Sequence, residues 1–169
     1  MGTRNHPALP NQPYFVTAAT RDRLPIFRNR QAAELMLTEL VRLRDELGFA
    51  LLAYAVMPDH IHLIIVPSTT EGLSRIMQSV KGGFARLWNK ELGCQGSIWQ
   101  PRYYESAVRT EAQLTRWLDY TNRNPIQAGL AASPEEYPYC SSGGRLETDI
   151  EAYLSGSWTG RAEARPSEG

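Results

Sequence analysis

The chain has 169 residues, 42% of them hydrophobic, with four tryptophans; that is enough to bury one globular core and it excludes a disordered polymer. Its 18 basic and 18 acidic residues cancel, so no global charge announces a nucleic-acid or membrane surface, and no apolar run approaches the roughly 18 residues of a membrane span. The two cysteines, Cys94 and Cys140, are too far apart to form a metal-type cluster, and the first residues lack the apolar stretch of a leader, so a reduced, cytoplasmic protein is expected.

Residues 13–19 (PYFVTAA) read as a strand rich in aromatic and β-branched types. An arginine-rich loop with Pro25 follows. From 29 to 47, apolar residues recur at helical spacing, and Gly48 is a natural stop. Residues 49–57 (FALLAYAVM) form a buried strand, Pro58-Asp59 a turn, and HIHLIIV a second strand, which together make an antiparallel hairpin. Residues 72–92 give a second amphipathic helix, although Gly82-Gly83 inside it runs against helix propensity. A fourth strand lies near 103–109. Thr110 and Gln113 form a capping-box signature that opens a third helix, which Pro125 ends or kinks. A shorter segment follows, and residues 155–169 read as a polar, flexible tail after a single domain spanning 1–154. The order β-α-β-β-α-β, then α, is the ferredoxin-like or split βαβ pattern: an α+β fold with an antiparallel sheet, helices on one face and an added C-terminal helix.

Of three histidines, two stand at the head of one strand, in Met57-Pro58-Asp59-His60-Ile61-His62. Strand residues two apart project from the same face, so His60 and His62 can present two imidazole nitrogens to one divalent ion. A solvated or hydrogen-bonded histidine pair beside a turn has the same spacing. A site also needs a third ligand and a reacting group, and the third helix offers both. Tyr120 and Asn124 are four apart on one helical face, while Leu114, Trp117 and Leu118 supply the packing stripe. An asparagine carbonyl is a hard oxygen ligand suited to Mg²⁺ or Mn²⁺, and a phenol can act as a nucleophile on phosphorus. Taken singly, each fits a plainer role, Tyr120 at the edge of the core and Asn124 at a helix end before a proline.

Four short motifs occur in order: Pro58-Asp59-His60-Ile61-His62, residues 74–81 (SRIMQSVK), residues 98–102 (IWQPR) and residues 118–125 (LDYTNRNP). Together they resemble the single-tyrosine HUH transposase superfamily, in particular the REP-associated tyrosine transposases, over residues 13–142. The resemblance implies a ferredoxin-like domain that cuts single-stranded DNA at hairpin-flanked repeats, with an attack by tyrosine that leaves a 5′-phosphotyrosine link and a free 3′-hydroxyl. It assigns the nucleophile to Tyr120 and the metal ligands to His60, His62 and Asn124, with Mg²⁺ or Mn²⁺ as the ion. Distant relatives carry glutamine at the position of Asn124.

The implied partner is single-stranded DNA with a hairpin, bound by a monomer or homodimer, and no membrane is involved. Lys81, Arg86, Arg102 and Arg109 could line a phosphate path, and Trp99, Tyr103 and Tyr104 could stack on bases, although each aromatic also suits a core. Tyr103 and Tyr104 are rival nucleophiles, but neither has a ligand-capable side chain one helical turn on. His6 receives no role. Three other readings compete. A histidine-triad hydrolase would need a histidine where Ile64 stands. An RNA-binding module would need an aromatic RNP pattern that no strand carries. A catalytically silent hairpin-binding protein derived from a transposase would keep the fold and lose the cutting.

Overall fold

The computed structural model describes residues 11–68 and 71–160. Four strands, β1 (Tyr14–Ala19), β2 (Ala50–Met57), β3 (His60–Val66) and β4 (Tyr104–Ala107), form one sheet in the order β2-β3-β1-β4, with every neighbour antiparallel. Helices α1 (Arg30–Leu47) and α2 (Leu73–Leu92) connect them, and α3 (Glu111–Gln127) and α4 (Ile150–Leu154) follow. This is the expected split βαβ arrangement. Among the described residues, no helix is long and apolar enough to cross a membrane.

Local chemistry sets the helix ends. The Asn29 side chain accepts a hydrogen bond from the Ala32 amide at 3.2 Å and starts α1, and Gly48 stops it at φ 69°, a left-handed conformation that only glycine adopts without cost. Thr110 Oγ1 accepts from the Gln113 amide at 3.1 Å and starts α3. Pro125 does not end that helix, which runs on to Gln127 with the proline buried. Of the Gly82-Gly83 pair in α2, Gly83 is explained by α1. A Cβ at Gly83 would overlap the carboxylate of Glu39, which is buried at this crossing and gripped by both Nε and Nη2 of Arg42.

The strands alternate between two faces. Ile61, Leu63 and Ile65 of β3 and Tyr14, Val16 and Ala18 of β1 enter the main core with α1 and α2. Ile64, Val66 and Phe15 point the other way, where they pack with Leu114, Trp117 and Leu118 of α3 and with Tyr153 beside Trp158. The sheet is therefore covered on both faces.

After α3 the chain returns along the outer edge of β2. Val56 donates its amide to the Tyr139 carbonyl, Leu51 to Asp149 Oδ2 and Tyr54 to Ser141 Oγ. The carbonyls of the same three strand residues accept from Tyr137 Oη, the Asp149 amide and Ser141 Oγ. The expected tail does not begin loosely. The amides of Ser155, Ser157 and Trp158 are all bonded to α4 carbonyls, and the Trp158 ring lies 6.5 Å from that of Tyr153. Residues 161–169 and His6 lie outside the described residues.

Candidate active site

His60 and His62 share the sheet face covered by α3, because they alternate with the core residues Ile61 and Leu63. The two Nε2 atoms face each other at 3.0 Å. Each ring is held from behind through Nδ1: His60 by Asp59 Oδ1 at 2.6 Å and His62 by Thr17 Oγ1 at 2.8 Å. Thr17 is the β1 residue in register with His62, so the strand pairing itself delivers this partner. The bonds admit two proton arrangements. In one, His62 donates through Nε2 to His60. In the other, both rings donate through Nδ1, which leaves two bare lone pairs pointing at one place. The second is the arrangement of metal-bound imidazoles, whose outer nitrogen donates to a carboxylate or hydroxyl.

Burial, and next the neighbouring His60, push the His62 ring down to about 3, against a weaker opposing effect of the Asn124 amide. His62 is thus neutral, as a ligand must be. The two Nε2 atoms, 3.0 Å apart, are close enough that one divalent ion could be held by both. Among the described residues, no cluster of three or more His, Cys, Asp or Glu side chains could hold an ion. A mixed set of two imidazoles and an amide oxygen is what the site offers, and it fits a hard or borderline divalent ion.

Helix α3 carries Tyr120 and Asn124 to this point within the same chain. The Asn124 side chain is close enough to His62 to favour its protonated ring, and the Tyr120 ring centroid is 5.5 Å from that of His62. Tyr120 remains 39% exposed. Phe15 fixes the helix. It stacks on Trp117 at 3.9 Å between centroids, lies 5.3 Å from His62, and meets the Tyr120 ring edge-on at 5.7 Å. Sequence reasoning missed Phe15, Thr17 and Asp59. Once β1 is aligned beside β3, Phe15 and Thr17 fall on the histidine face by alternation alone, which is the signal that could have found them.

The expected DNA contacts are dispersed. Trp99 is a correction: it is only 5% exposed, packs against Phe27 and Phe84, and donates Nε1 to the Lys81 carbonyl, so its ring cannot receive a base. Lys81 is committed to the Gln100 carbonyl at 2.8 Å, and burial lowers the pKa of its ammonium. Arg86 lines a groove with Arg42 and Arg75 on the α1–α2 side, away from the histidines. Arg109 sits at the far end of β4, near Asn11 and Pro13. Arg102, exposed in the loop before β4, stands at the histidine end, next to Tyr104, which is paired in register with Thr17 and is 57% exposed. Tyr103 is half-buried beneath Lys81 Nζ, 5.9 Å from the ring centroid.

Comparison with known proteins agrees with this architecture. Residues 9–124 match the family described as IS200-like transposases. A protein of Escherichia coli, a REP-associated tyrosine transposase, is 24% identical over 134 residues, covering 75% of this chain and 78% of its own. A Haemophilus influenzae protein given the same designation is 26% identical over 151 residues and covers 83% of each chain. Among solved structures, a REP-associated tyrosine transposase bound to a REP hairpin superposes with a TM-score of 0.70 at 20% identity, over 94% of this chain and 88% of that one. A transposase-like protein of Deinococcus radiodurans superposes with a TM-score of 0.50 at 21% identity, over 78% and 99%. With its fold in common with these structures and most of its length matched by the family, this chain belongs to the IS200-like transposases.

Proposed function

We propose that the protein is a metal-dependent single-stranded DNA endonuclease and strand transferase, acting in the cytoplasm at hairpin-flanked repeats. The observation that carries this reading is the convergence of His60 Nε2 and His62 Nε2 at 3.0 Å beneath the helix face bearing Tyr120 and Asn124. His60, His62 and the Asn124 carbonyl would hold the ion. When bound, a divalent ion supplies Lewis-acid polarisation of the scissile phosphate.

The chain's own residues do the rest. Tyr120 Oη attacks phosphorus as its proton leaves to solvent. The P–O3′ bond breaks, the departing oxygen takes up a proton as a free 3′-hydroxyl, and the 5′-phosphate stays on Tyr120. Attack by another 3′-hydroxyl on that phosphotyrosine reverses the step and joins strands without a nucleotide energy source. Phe15 and Trp117 pack on each other and against the Tyr120 ring and so help to orient it. Arg102 and Tyr104, exposed at the histidine end of β4, would meet a phosphate and a base.

Covalent capture tests the reading. The protein is incubated with Mn²⁺ and heat-denatured, sheared DNA from its own source, denatured, trimmed with nuclease and analysed by mass spectrometry. A nucleotide adduct on Tyr120, lost in Tyr120→Phe and in His60→Ala, is expected. An adduct on Tyr104 would overturn the assignment of the nucleophile. Hairpin binding with no adduct at all would identify a silent hairpin-binding protein instead.

A further inference from the structure

The turn that presents His60 is held by the segment following β1. The Asp59 carbonyl accepts from both the amide and Oγ1 of Thr20, at 2.9 and 3.0 Å, and the Pro58 carbonyl accepts from the Phe27 amide at 2.9 Å. Thr20 is fully buried. Between these anchors, Asp22 and Arg23 have φ values of 54° and 55°. Two consecutive non-glycine residues in the left-handed region persist only where their surroundings over-determine them, and such residues cluster at functional sites. Arg23 leaves this corner with its guanidinium on Asp59, Nε to Oδ2 at 3.2 Å, while Asp59 Oδ1 faces His60 Nδ1.

We propose that Arg23 is a positioning residue that acts on His60 through Asp59. This inference rests on reading the histidine pair as a metal centre. By engaging Oδ2, Arg23 stops the carboxylate from rotating and keeps Oδ1 as the acceptor for His60 Nδ1–H. That selects the His60 tautomer with a bare Nε2 and aims it at His62. As a stability device, an ion pair whose arginine is half in water contributes little, so its geometry is the better reason for the strained corner. Both histidines are then supported from one stretch of chain, His62 by Thr17 within β1 and His60 by the loop that leaves it.

Two measurements test this, one without any metal. Imidazole ¹⁵N shifts of the metal-free protein should show His60 protonated at Nδ1, and Arg23→Gln should shift it toward a mixture of tautomers. Calorimetry with Mn²⁺ should show weakening of about 10- to 100-fold in Asp59→Ala and a smaller loss, about 3- to 10-fold, in Arg23→Gln. Arg23→Lys should recover part of the loss, and it replaces Arg23→Gln if the glutamine variant fails to fold. Wild-type tautomer and wild-type Mn²⁺ affinity in Arg23→Gln would overturn the proposal. If His60→Ala leaves Mn²⁺ binding intact, the metal reading fails separately, and the metal-free tautomer still decides whether Arg23 acts on His60.

Discussion

The two faces of the sheet are built from the same strands and to opposite purposes. On the α1–α2 face, alternate residues of β1, β2 and β3 are apolar and closed to water, and nearly every polar atom that enters is paired, as Glu39 is with Arg42. On the α3 face, the alternation brings in His60, His62 and Thr17 beside Phe15, with the nearby apolar residues reduced to a small cluster under the helix. The strand period of two lets one hairpin serve both faces, and slipping the register by one residue would exchange them. Stability and chemistry are therefore separable by parity, and substitutions one residue apart should have different consequences.

The sharpest contrast concerns activity. Tyr120→Phe should lower covalent DNA capture by roughly 10³-fold or more while leaving the thermal midpoint nearly unchanged, because the hydroxyl is on an exposed side chain. A midpoint that falls with the activity would show that the site face also holds the fold. Next, Leu63→Ala on the core face should cost about 2–5 kcal/mol in urea unfolding, since Leu63 is fully buried. Thr17→Val on the other face should cost much less and should weaken Mn²⁺ binding through His62.

On the core face, alkaline pH acts through Tyr54. Tyr54 is fully buried, accepts from the Leu146 amide at 3.1 Å, and is pushed up by burial to about 12 from 10.0. The unfolded chain releases this proton first, so the contribution is whole below about pH 10 and is lost as pH rises towards 12, at most roughly 2–3 kcal/mol. In Tyr54→Phe, urea titrations should lose that part of the slope between pH 10 and 12. The smallest effects lie in α2. Gly83→Ala should destabilise by about 1–2 kcal/mol because the Glu39 carboxylate must move. Gly82→Ala, with nothing near its Cβ, should stabilise by up to about 1 kcal/mol. Equal changes at both glycines would remove the close approach of α1 as the reason for Gly83.

What the sequence revealed follows the same division. Periodicity and caps located the four strands and the three long helices, because hydrophobic alternation is a local property. Strand parity paired His60 with His62 and helix spacing paired Tyr120 with Asn124, while it was the family resemblance of the ordered motifs that joined the two pairs. What escaped was set by partners distant along the chain. Thr17 reaches His62 across 45 residues, Asp59 turns from an ordinary turn residue into a clamp only when Arg23 folds back onto it, and Trp99 is buried because α2 and Phe27 enclose it. Of the two outcomes expected at Pro125, the ending did not occur: despite the lost donor and the ring's crowding of the carbonyl four residues back, the helix runs on to Gln127 with the proline buried.

The hydrogen bonds along the outer edge of β2 bear on assembly. An open edge of a sheet is a template for another chain, and proteins commonly blunt it. Here the outward amides and carbonyls of Leu51, Tyr54 and Val56 are all engaged by residues 137–149 of the same chain. A second copy therefore cannot extend the sheet across β2, and strand addition is left to the short β4 side. A chain shortened before Tyr137 would lose that guard, and its first failure should be self-association through β2 rather than loss of the histidine site.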